Sequence, residues 1–321
     1  LLGAVEPAAP AISEAFDTYC SQIAKTDLMG KSDEQKANWK KIKLRAVNNF
    51  IAVCGDLPMD KIGRKEAQKF RGWWGERLEA KDEKKGRHPN SANRDIGNLR
   101  TLCEAFWQYE GEAERANPFD KLRFGNVVYK KVETFTDEWV RTKMLKPGVF
   151  EGLNEEAILI VYALIETGCR PSEIANLMEE HIILNHKIPH LKIRGTDKRE
   201  LKSRSSIREI PLVGVSLEAM KRAPKGFPRY RDKGALLSAS LLKTFKRRSL
   251  LPSENHRIYS FRHSFEKRML EADLDYGLRC LLMGHHDKRP QYGDGGSLEF
   301  RRDQLLKIAH PFPDEVFSKL P

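Results

Sequence analysis

The sequence predicts a mainly α-helical protein of two domains, the second of which also holds a small three-stranded antiparallel sheet. The chain has 321 residues, more than one typical domain needs, and 40% of them are hydrophobic, which is enough for two cores. Apolar residues recur at helical spacing along most of the chain. Three short β-branched runs joined by polar turns interrupt that pattern between residues 181 and 213.

Helices account for the first third of the chain. Ser32, followed by two acidic residues, predicts the start of a helix that ends at Gly55. A second helix is predicted to begin near Arg64, and a third at Ser91. We expect these helices to bury one shared apolar face.

A linker is predicted where the helical pattern lapses. Residues 111–131 lack a sustained amphipathic period and become basic from Lys121 onward. The predicted boundaries are a tail at residues 1–10, a helical domain at 11–116, a basic linker at 117–133 and a second domain at 134–321.

The second domain begins with helical signals. Thr136 is predicted to cap a helix, and a strongly apolar helix runs from Glu155 to Thr167, where Gly168 ends it. A short helix is predicted from Pro171. The predicted strands are 181–184, 188–193 and 208–213, and the helices that follow them are 236–248, 260–272, 276–283 and 297–308.

The charge of the chain favours a polyanionic partner. Lys and Arg number 57 against 45 acidic residues, a net charge of +12, so nucleic acid is the leading candidate and a merely basic enzyme is the alternative. No apolar run approaches the roughly 20 residues that a membrane span needs. The first residues do not have the basic and then apolar order of a secretory signal.

Cysteine and histidine usage indicates a cytoplasmic protein without a metal site. The five cysteines are odd in number and widely spaced, which is typical of reduced residues. His181, His186 and His190 lie close together in sequence, but their spacing is not that of zinc ligands, so we interpret them as ordinary imidazoles.

Four separate segments carry the candidate chemistry. Arg170 stands between a helix-ending Gly and a helix-starting Pro, and Lys202 falls in a polar turn that leads into a strand. Arg262 lies at a helix start, where backbone N–H groups also favour an anion. Tyr292 follows in a glycine-flanked polar loop. Taken singly, Arg170 and Lys202 are better explained as ordinary surface residues, and Arg262 also fits a surface position on its helix.

Taken together, the four segments resemble the tyrosine recombinase (phage integrase) family. That family has, in order, an Arg, a Lys on a β-hairpin, His-x-x-Arg, Gly-His or Gly-Trp, and a Tyr nucleophile. The chain supplies these in the same order as Arg170, Lys202, Tyr259-x-x-Arg262, Gly284-His285 and Tyr292. The residues from 91 to 100 are similar to the family's helical core-binding domain. The resemblance therefore implies an integrase-like DNA breaking-rejoining fold, with a core-binding domain at 11–116 and a catalytic domain at 134–321.

The chain departs from the family pattern at two places. Tyr259 stands where the family most often has His, so a phenol would replace an imidazole beside the phosphate. The interval from His285 to Tyr292 is also shorter than usual, which leaves the register of the last His open. Tyr276 is the competing tyrosine, although its helical context favours a place in the core.

The resemblance implies strand cleavage through a 3′-phosphotyrosine intermediate. Arginine forks suit the non-bridging oxygens of a phosphorane, and neighbouring positive charge favours ionisation of a phenol whose reference pKa is about 10. Lys202 is the candidate general acid, and His285 and Tyr259 complete the hydrogen bonding. Glu173, one turn after Arg170, is expected to brace an arginine. No metal or nucleotide cofactor is expected.

The predicted function is therefore a site-specific DNA recombinase that integrates or excises a mobile element. Its expected partners are a specific duplex DNA site, further copies of itself in a tetramer on DNA, and accessory DNA-bending or excision factors. A cytoplasmic, nucleoid-associated location in a bacterium is expected. A DNA-binding protein of the same fold with impaired cleavage is the alternative, and a relaxing topoisomerase is a more distant one.

Overall fold

The structure is a computed structural model that describes residues 8–80, 88–125, 132–287 and 295–321. The chain divides into two compact units, Leu1–Tyr129 and Lys130–Pro321, each with its own hydrophobic core. None of the helices in these ranges is long and apolar enough to cross a membrane.

The first unit consists of helices that share one core. Its α-helices are α1 (Ile12–Thr18), α2 (Asp33–Cys54), α3 (Arg64–Glu79) and α4 (Pro89–Tyr109). Phe50 of α2 packs against Phe70 of α3, with ring centroids 5.7 Å apart, and against Phe119 at 5.8 Å. All three rings are almost completely buried, which confirms the prediction of one shared apolar face.

Local capping sets where these helices begin. The Ser32 side chain accepts a hydrogen bond from the backbone N–H of Gln35, which satisfies a donor that the first turn of α2 would otherwise leave open. The start predicted for the third helix is wrong by two residues. Helix α4 begins at Pro89, because proline suits the first helical position. His88 is the N-cap, and its Nδ1 accepts a hydrogen bond from the backbone N–H of Asn90.

Part of the segment predicted as a linker packs onto the first unit. Phe119 and Leu122 are 1% and 5% exposed in its core. Asn93 in α4 exchanges two hydrogen bonds with the backbone of Phe124, at 2.7 and 3.0 Å. The chain therefore stays on the first unit at least as far as this phenylalanine, whereas the linker was predicted to start at residue 117.

The second unit is built around one buried helix. Its α-helices are α5 (Asp137–Trp139), α6 (Glu155–Thr167), α7 (Pro171–Ala175), α8 (Gly214–Arg222), α9 (Gly234–Arg247), α10 (Ser260–Glu271), α11 (Tyr276–Met283) and α12 (Leu298–Leu306). Every residue of α6 from Ala157 to Thr167 is buried. The Asn154 side chain caps its start, and α8 and α10 pack against it.

The sheet has three antiparallel strands, as predicted. Strands β1 (Ile182–Ile183), β2 (His190–Ile193) and β3 (Arg208–Pro211) are antiparallel in the order β1-β2-β3. Leu191 pairs with Ile182 on one side and with Ile210 on the other. The strands are shorter than predicted, and helices α11 and α12 contact β3.

The C-terminal segment packs on its own unit. Val316 and Phe317 are 2% and 8% exposed, the Phe317 ring lies 5.1 Å from that of Tyr162 in α6, and Arg222 covers its other side at 4.1 Å. The apolar side chains of this segment are thus covered at these positions within the same chain.

Candidate functional site

Arg170 lies at the junction between α6 and α7, where the backbone fixes its place. Gly168 ends α6 with a left-handed φ of 61°, and Arg170 is the N-cap of α7. Its Nη1 donates to Glu173 Oε1 at 2.6 Å and to Ser206 Oγ at 3.2 Å. Its Nε is buried and has no hydrogen-bond acceptor among the described residues. The side chain is still 14% exposed, so this guanidinium is held in place but not sealed from solvent.

Arg262, in the first turn of α10, joins three segments that are distant in sequence. Its Nη1 donates to the carbonyl of Gly168 at 2.6 Å, and its Nη2 donates to the carbonyl of Met283. The same Nη2 lies 3.0 Å from His285 Nε2. With 2% exposure, Arg262 connects the end of α6 to the end of α11 from inside the unit.

His285 follows the glycine that ends α11. Gly284 has a φ of 62°, and the N–H of His285 donates to the Cys280 carbonyl at 2.9 Å. Burial, and then the neighbouring Arg262 and Arg170, lower the pKa of His285 below its ordinary value. The imidazole is therefore neutral at pH 7. Because a guanidinium can only donate, Nε2 must accept and the ring proton is assigned to Nδ1, where it can be donated to an anion.

Glu173 holds two arginines at once. It accepts from Arg170 through Oε1 and from Arg208 Nη2 through Oε2 at 2.9 Å. Burial alone would raise the pKa of this carboxyl, but its contacts with Arg208 and Arg170 outweigh burial and hold the pKa below the ordinary value. Glu173 is thus an ionised brace, as the sequence predicted, and both of its oxygens are engaged.

Arg208 is a central residue of this site that the sequence analysis did not single out. Its side chain is 0% exposed. It donates through Nε to the Leu282 carbonyl at 2.8 Å and through Nη1 to the Ser206 carbonyl at 2.7 Å, in addition to Glu173. It therefore joins β3, α7 and the end of α11.

A signal for Arg208 was present in the strand pattern. Arg208 and Ile210 are two residues apart in β3, so they share one face of the sheet, and Ile210 is completely buried. An arginine on the buried face of a strand requires an acidic partner. Glu173, which the sequence had marked as a brace, supplies that partner.

The site is electropositive. Among the described residues, Glu173 is the carboxylate that contacts both Arg170 and Arg208, and Arg262 bonds to carbonyls and an imidazole instead. Burial and then the charge of Arg170 lower the pKa of Arg262. Mutual repulsion between buried cations is relieved by a bound anion, so the arrangement suits a phosphate.

Lys202 and Tyr259 occupy more exposed positions. Lys202 is exposed in the loop between β2 and β3, next to Ser203, whose Oγ lies 3.1 Å from that of Ser206. Tyr259 is the N-cap of α10, 38% exposed, with its ring 5.4 Å from that of His263.

Tyr292, the predicted nucleophile, lies outside the described residues. Its competitor Tyr276 is the first residue of α11 and is 44% exposed, so the expectation that it belongs to the core is wrong. The Arg279 guanidinium lies 5.5 Å from its ring, a contact on the helix surface.

No cluster of three or more His, Cys, Asp or Glu that could hold a metal ion occurs in the described parts of the chain. His181 Nδ1 accepts from the backbone N–H of Met178 at 3.1 Å. The rings of His186 and His190 meet edge to face at 5.2 Å. The site described above contains three arginines, the ionised Glu173 that contacts two of them, and the neutral His285.

Solved structures similar to this chain are integrases. The Tn1549 transposon integrase in complex with transposon right end DNA matches with a TM-score of 0.54 at 16% identity, over 96% of this chain and 98% of that one. A lambda integrase tetramer bound to a Holliday junction matches with a TM-score of 0.60 at 16% identity, over 87% and 76%. A lambda integrase dimer bound to a COC′ core site matches with a TM-score of 0.59 at 14% identity, over 88% and 98%.

These likenesses confirm the predicted fold. At this level of identity they show that the chain shares the fold of these integrases, which here consists of a helical unit followed by a mixed unit with a small antiparallel sheet. No protein-family model and no curated protein sequence matches the chain. Function must therefore be argued from the side chains of the site.

Proposed function

We propose that the chain is a site-specific DNA recombinase of the integrase class, which cleaves and rejoins DNA through a covalent link between Tyr292 and a backbone phosphate. The observation that carries this proposal is the convergence of Arg170, Arg262 and His285 in one electropositive site. Two fixed guanidinium groups and a neutral imidazole with a donor at Nδ1 match the oxygens of a phosphodiester.

The proposed reaction conserves the energy of the broken bond. The Tyr292 oxygen attacks phosphorus and forms a 3′-phosphotyrosyl ester, while the bond to the 5′-oxygen breaks. Lys202 gives a proton to that leaving oxygen, and Arg170 and Arg262 stabilise the charge of the phosphorane. Rejoining reverses these steps when a 5′-hydroxyl of another strand attacks the ester, so the overall change is a strand exchange with no external reactant.

The similar structures support the choice of partner. They are integrases bound to DNA, one of them as a tetramer on a Holliday junction. We propose duplex DNA as the partner here, with four protomers acting on two sites and with accessory DNA-bending or excision factors as further partners. The net charge of +12 agrees with a partner held by phosphate contacts.

The function is tested on a nicked suicide duplex that carries a site selected from a randomised DNA pool. The wild type should leave an adduct that resists SDS. Lys202→Ala should lose the adduct on ordinary DNA and regain it on DNA with a 5′-bridging sulfur, since that leaving group needs no proton. Arg170→Ala should fail on both, because it lacks charge stabilisation. Equal behaviour of the two variants would refute the assigned roles.

A DNA-binding protein with impaired cleavage is the second candidate. The observation that favours it is Tyr259, a phenol in the position where the family's imidazole would stand beside the phosphate. Tyr259→His separates the candidates: a rise in adduct formation from an undetectable level would identify a protein whose cleavage had been lost, and an active wild type would exclude it.

A further inference from the structure

A buried carboxylate in the first unit orients two polar side chains of the neighbouring helix. Asp95 of α4 is 0% exposed. Its Oδ1 accepts from Arg45 Nη2 at 2.5 Å and from Arg45 Nε at 3.2 Å, and its Oδ2 accepts from Asn49 Nδ2 at 2.8 Å. Arg45 and Asn49 stand one turn apart on α2. Both carboxylate oxygens therefore serve to hold side chains of α2.

Arg45 differs from the other arginines that pair with buried carboxylates. Arg208 and Arg170, which pair with Glu173, have side-chain exposures of 0% and 14%, and Arg268, which pairs with Glu166, has 6%. Arg45 is 45% exposed although its partner is completely buried. In each of the other three pairs, most of the arginine side chain is buried together with its carboxylate. Here the protein fixes a guanidinium and leaves much of it open to solvent.

The geometry selects which edge of the guanidinium is presented. Asp95 occupies Nε and one side of Nη2, so the remaining N–H groups of Nη1 and Nη2 form a fork at the end of the side chain. That fork matches two acceptors side by side, which is the pattern of O6 and N7 of guanine in the major groove. A carboxylate that fixes the arginine also reduces the entropy lost when the base is bound.

The surroundings of Arg45 suit DNA. Lys41 and Asn48 stand one turn before and one turn after Arg45 on α2, and both are exposed. Neither is acidic, so this exposed face of α2 carries cationic and amide groups that can bind phosphates and base edges. An α-helix is also the element that the major groove admits.

We propose that Arg45, positioned by Asp95, reads a guanine in the recognition site and so determines part of its sequence. This inference rests on the proposed function for the presence of a DNA site, but it concerns which base pair is recognised and not the cleavage chemistry. Asp95 is a positioning residue, and Arg45 makes the contact.

The test compares sites that the full chain selects from a randomised duplex pool. The wild type should select a fixed G·C pair that Arg45→Met no longer selects, because methionine keeps a long side chain but has no N–H to donate to O6 and N7. The matched control is Arg100→Met, which changes an exposed arginine of α4 whose partner Asp120 is also exposed. It should select the same pair as the wild type.

A base analogue then identifies the atom that is read. Replacing the selected guanine by 7-deazaguanine should weaken wild-type binding roughly 10-fold and leave binding by Arg45→Met unchanged. Asp95→Asn, with folding verified by its melting curve, should weaken the preference without removing it.

Two results would overturn the inference. One is an Arg45→Met variant that selects the same sequence as the wild type, and the other is an Arg45→Ala variant that weakens binding equally on all sequences, which would make Arg45 a phosphate contact. The outcomes also separate this inference from the proposed function. If the Arg45 variant loses the G·C preference but the wild type forms no covalent adduct, only the proposed cleavage chemistry is refuted. If the wild type forms the adduct but the Arg45 variant keeps the preference, only the recognition of guanine by Arg45 is refuted.

Discussion

Glu173 shows how one side chain can set the geometry of a cationic site. Its two oxygens hold Arg170 and Arg208, and Arg208 in turn holds the Leu282 carbonyl, three residues before His285. A buried ion pair contributes little net stability, but breaking one by removing a partner is costly. The main effect of the Glu173 carboxylate is therefore to fix the positions of Arg170 and Arg208.

Glu173→Gln should destabilise the protein by about 3 kcal/mol, because a neutral amide leaves the buried Arg208 and the partly exposed Arg170 without their counter-charge. Since the folded pKa of Glu173 lies below its ordinary value of 4.5, the stability that its charge contributes is present above that pH and is lost as the pH falls through the folded pKa. The difference in the free energy of unfolding between the variant and the wild type, measured with urea, should therefore become smaller at acid pH. Glu218→Gln, an exposed control that pairs with Lys221, should change stability by less than about 0.5 kcal/mol.

The short turns that end helices determine where the site residues lie. Gly168 and Gly284 both end a helix in the left-handed conformation, at φ values of 61° and 62°, just before Arg170 and His285. A Cβ at Gly284 would lie 2.8 Å from Arg208 Nη1 and 3.1 Å from Ser206 Cα. These glycines let the chain turn in contact with the buried arginines.

Gly284→Ala should destabilise the protein by roughly 2 kcal/mol and reduce adduct formation, because both the backbone strain and the crowding against Arg208 displace the turn that carries His285. Gly97→Ala offers a contrast, since a Cβ there meets nothing within 4 Å inside α4. It should stabilise the first unit by about 0.5 kcal/mol. Thermal unfolding of both variants measures the difference, and equal effects would contradict the role assigned to the turn.

A buried network attaches the C-terminal segment to the core of the second unit. Arg268 donates to Glu166 at 2.9 Å, and the N–H of His310 donates to the other oxygen of Glu166 at 2.8 Å. Burial, and then the charges of Arg268 and Arg141, lower the pKa of His310 to about 3. His310 is thus neutral in the folded protein at every pH near neutrality.

Folding stability should therefore fall as the pH is lowered from about 6.5. The unfolded chain binds a proton at His310 below its ordinary pKa of 6.5, whereas the folded chain does so only near 3, so the loss accumulates between these values. His310→Gln should flatten this part of the profile in chemical unfolding between pH 7 and pH 5. Parallel profiles for the variant and the wild type would contradict a neutral His310.

Elements with local signals could be predicted from the sequence, and contacts between distant segments could not. The sequence predicts the bounds of α6 and α11 correctly because their ends are marked by N-cap side chains and terminal glycines, and in α6 also by an acidic first turn, all of which act within one helical turn. Arg208 escaped prediction because its partners come from α7 and the end of α11, and only folding brings them together. The packing of Phe317 on Tyr162 could not be predicted for the same reason, since the two residues lie far apart in sequence.

At the scale of the whole molecule, positive charge is spread over a chain that forms two units. The net charge is +12, and both units carry exposed basic residues, such as Lys41 in the first and Lys202 in the second. Two DNA-binding units on one chain raise the effective concentration of each for the same duplex. We expect both of them to contribute to the binding of one site.

Binding to a selected site should fall steeply with salt, because each phosphate contact releases counterions. Residues 130–321 alone should bind the site more weakly than the full chain and with a shallower salt dependence. Fluorescence anisotropy titrations at several salt concentrations measure both quantities. Equal affinity for the fragment and the full chain would contradict a contribution from the first unit.

The central claim is that Tyr292 forms the covalent bond to DNA, and one substitution tests it most directly. Tyr292→Phe removes only the reacting oxygen, so the variant should bind the selected site as the wild type does and yet leave no SDS-resistant adduct on the nicked duplex. Tyr276→Phe, the matched control on the exposed surface of α11, should form the adduct normally. An adduct that persists in Tyr292→Phe and disappears in Tyr276→Phe would contradict the account.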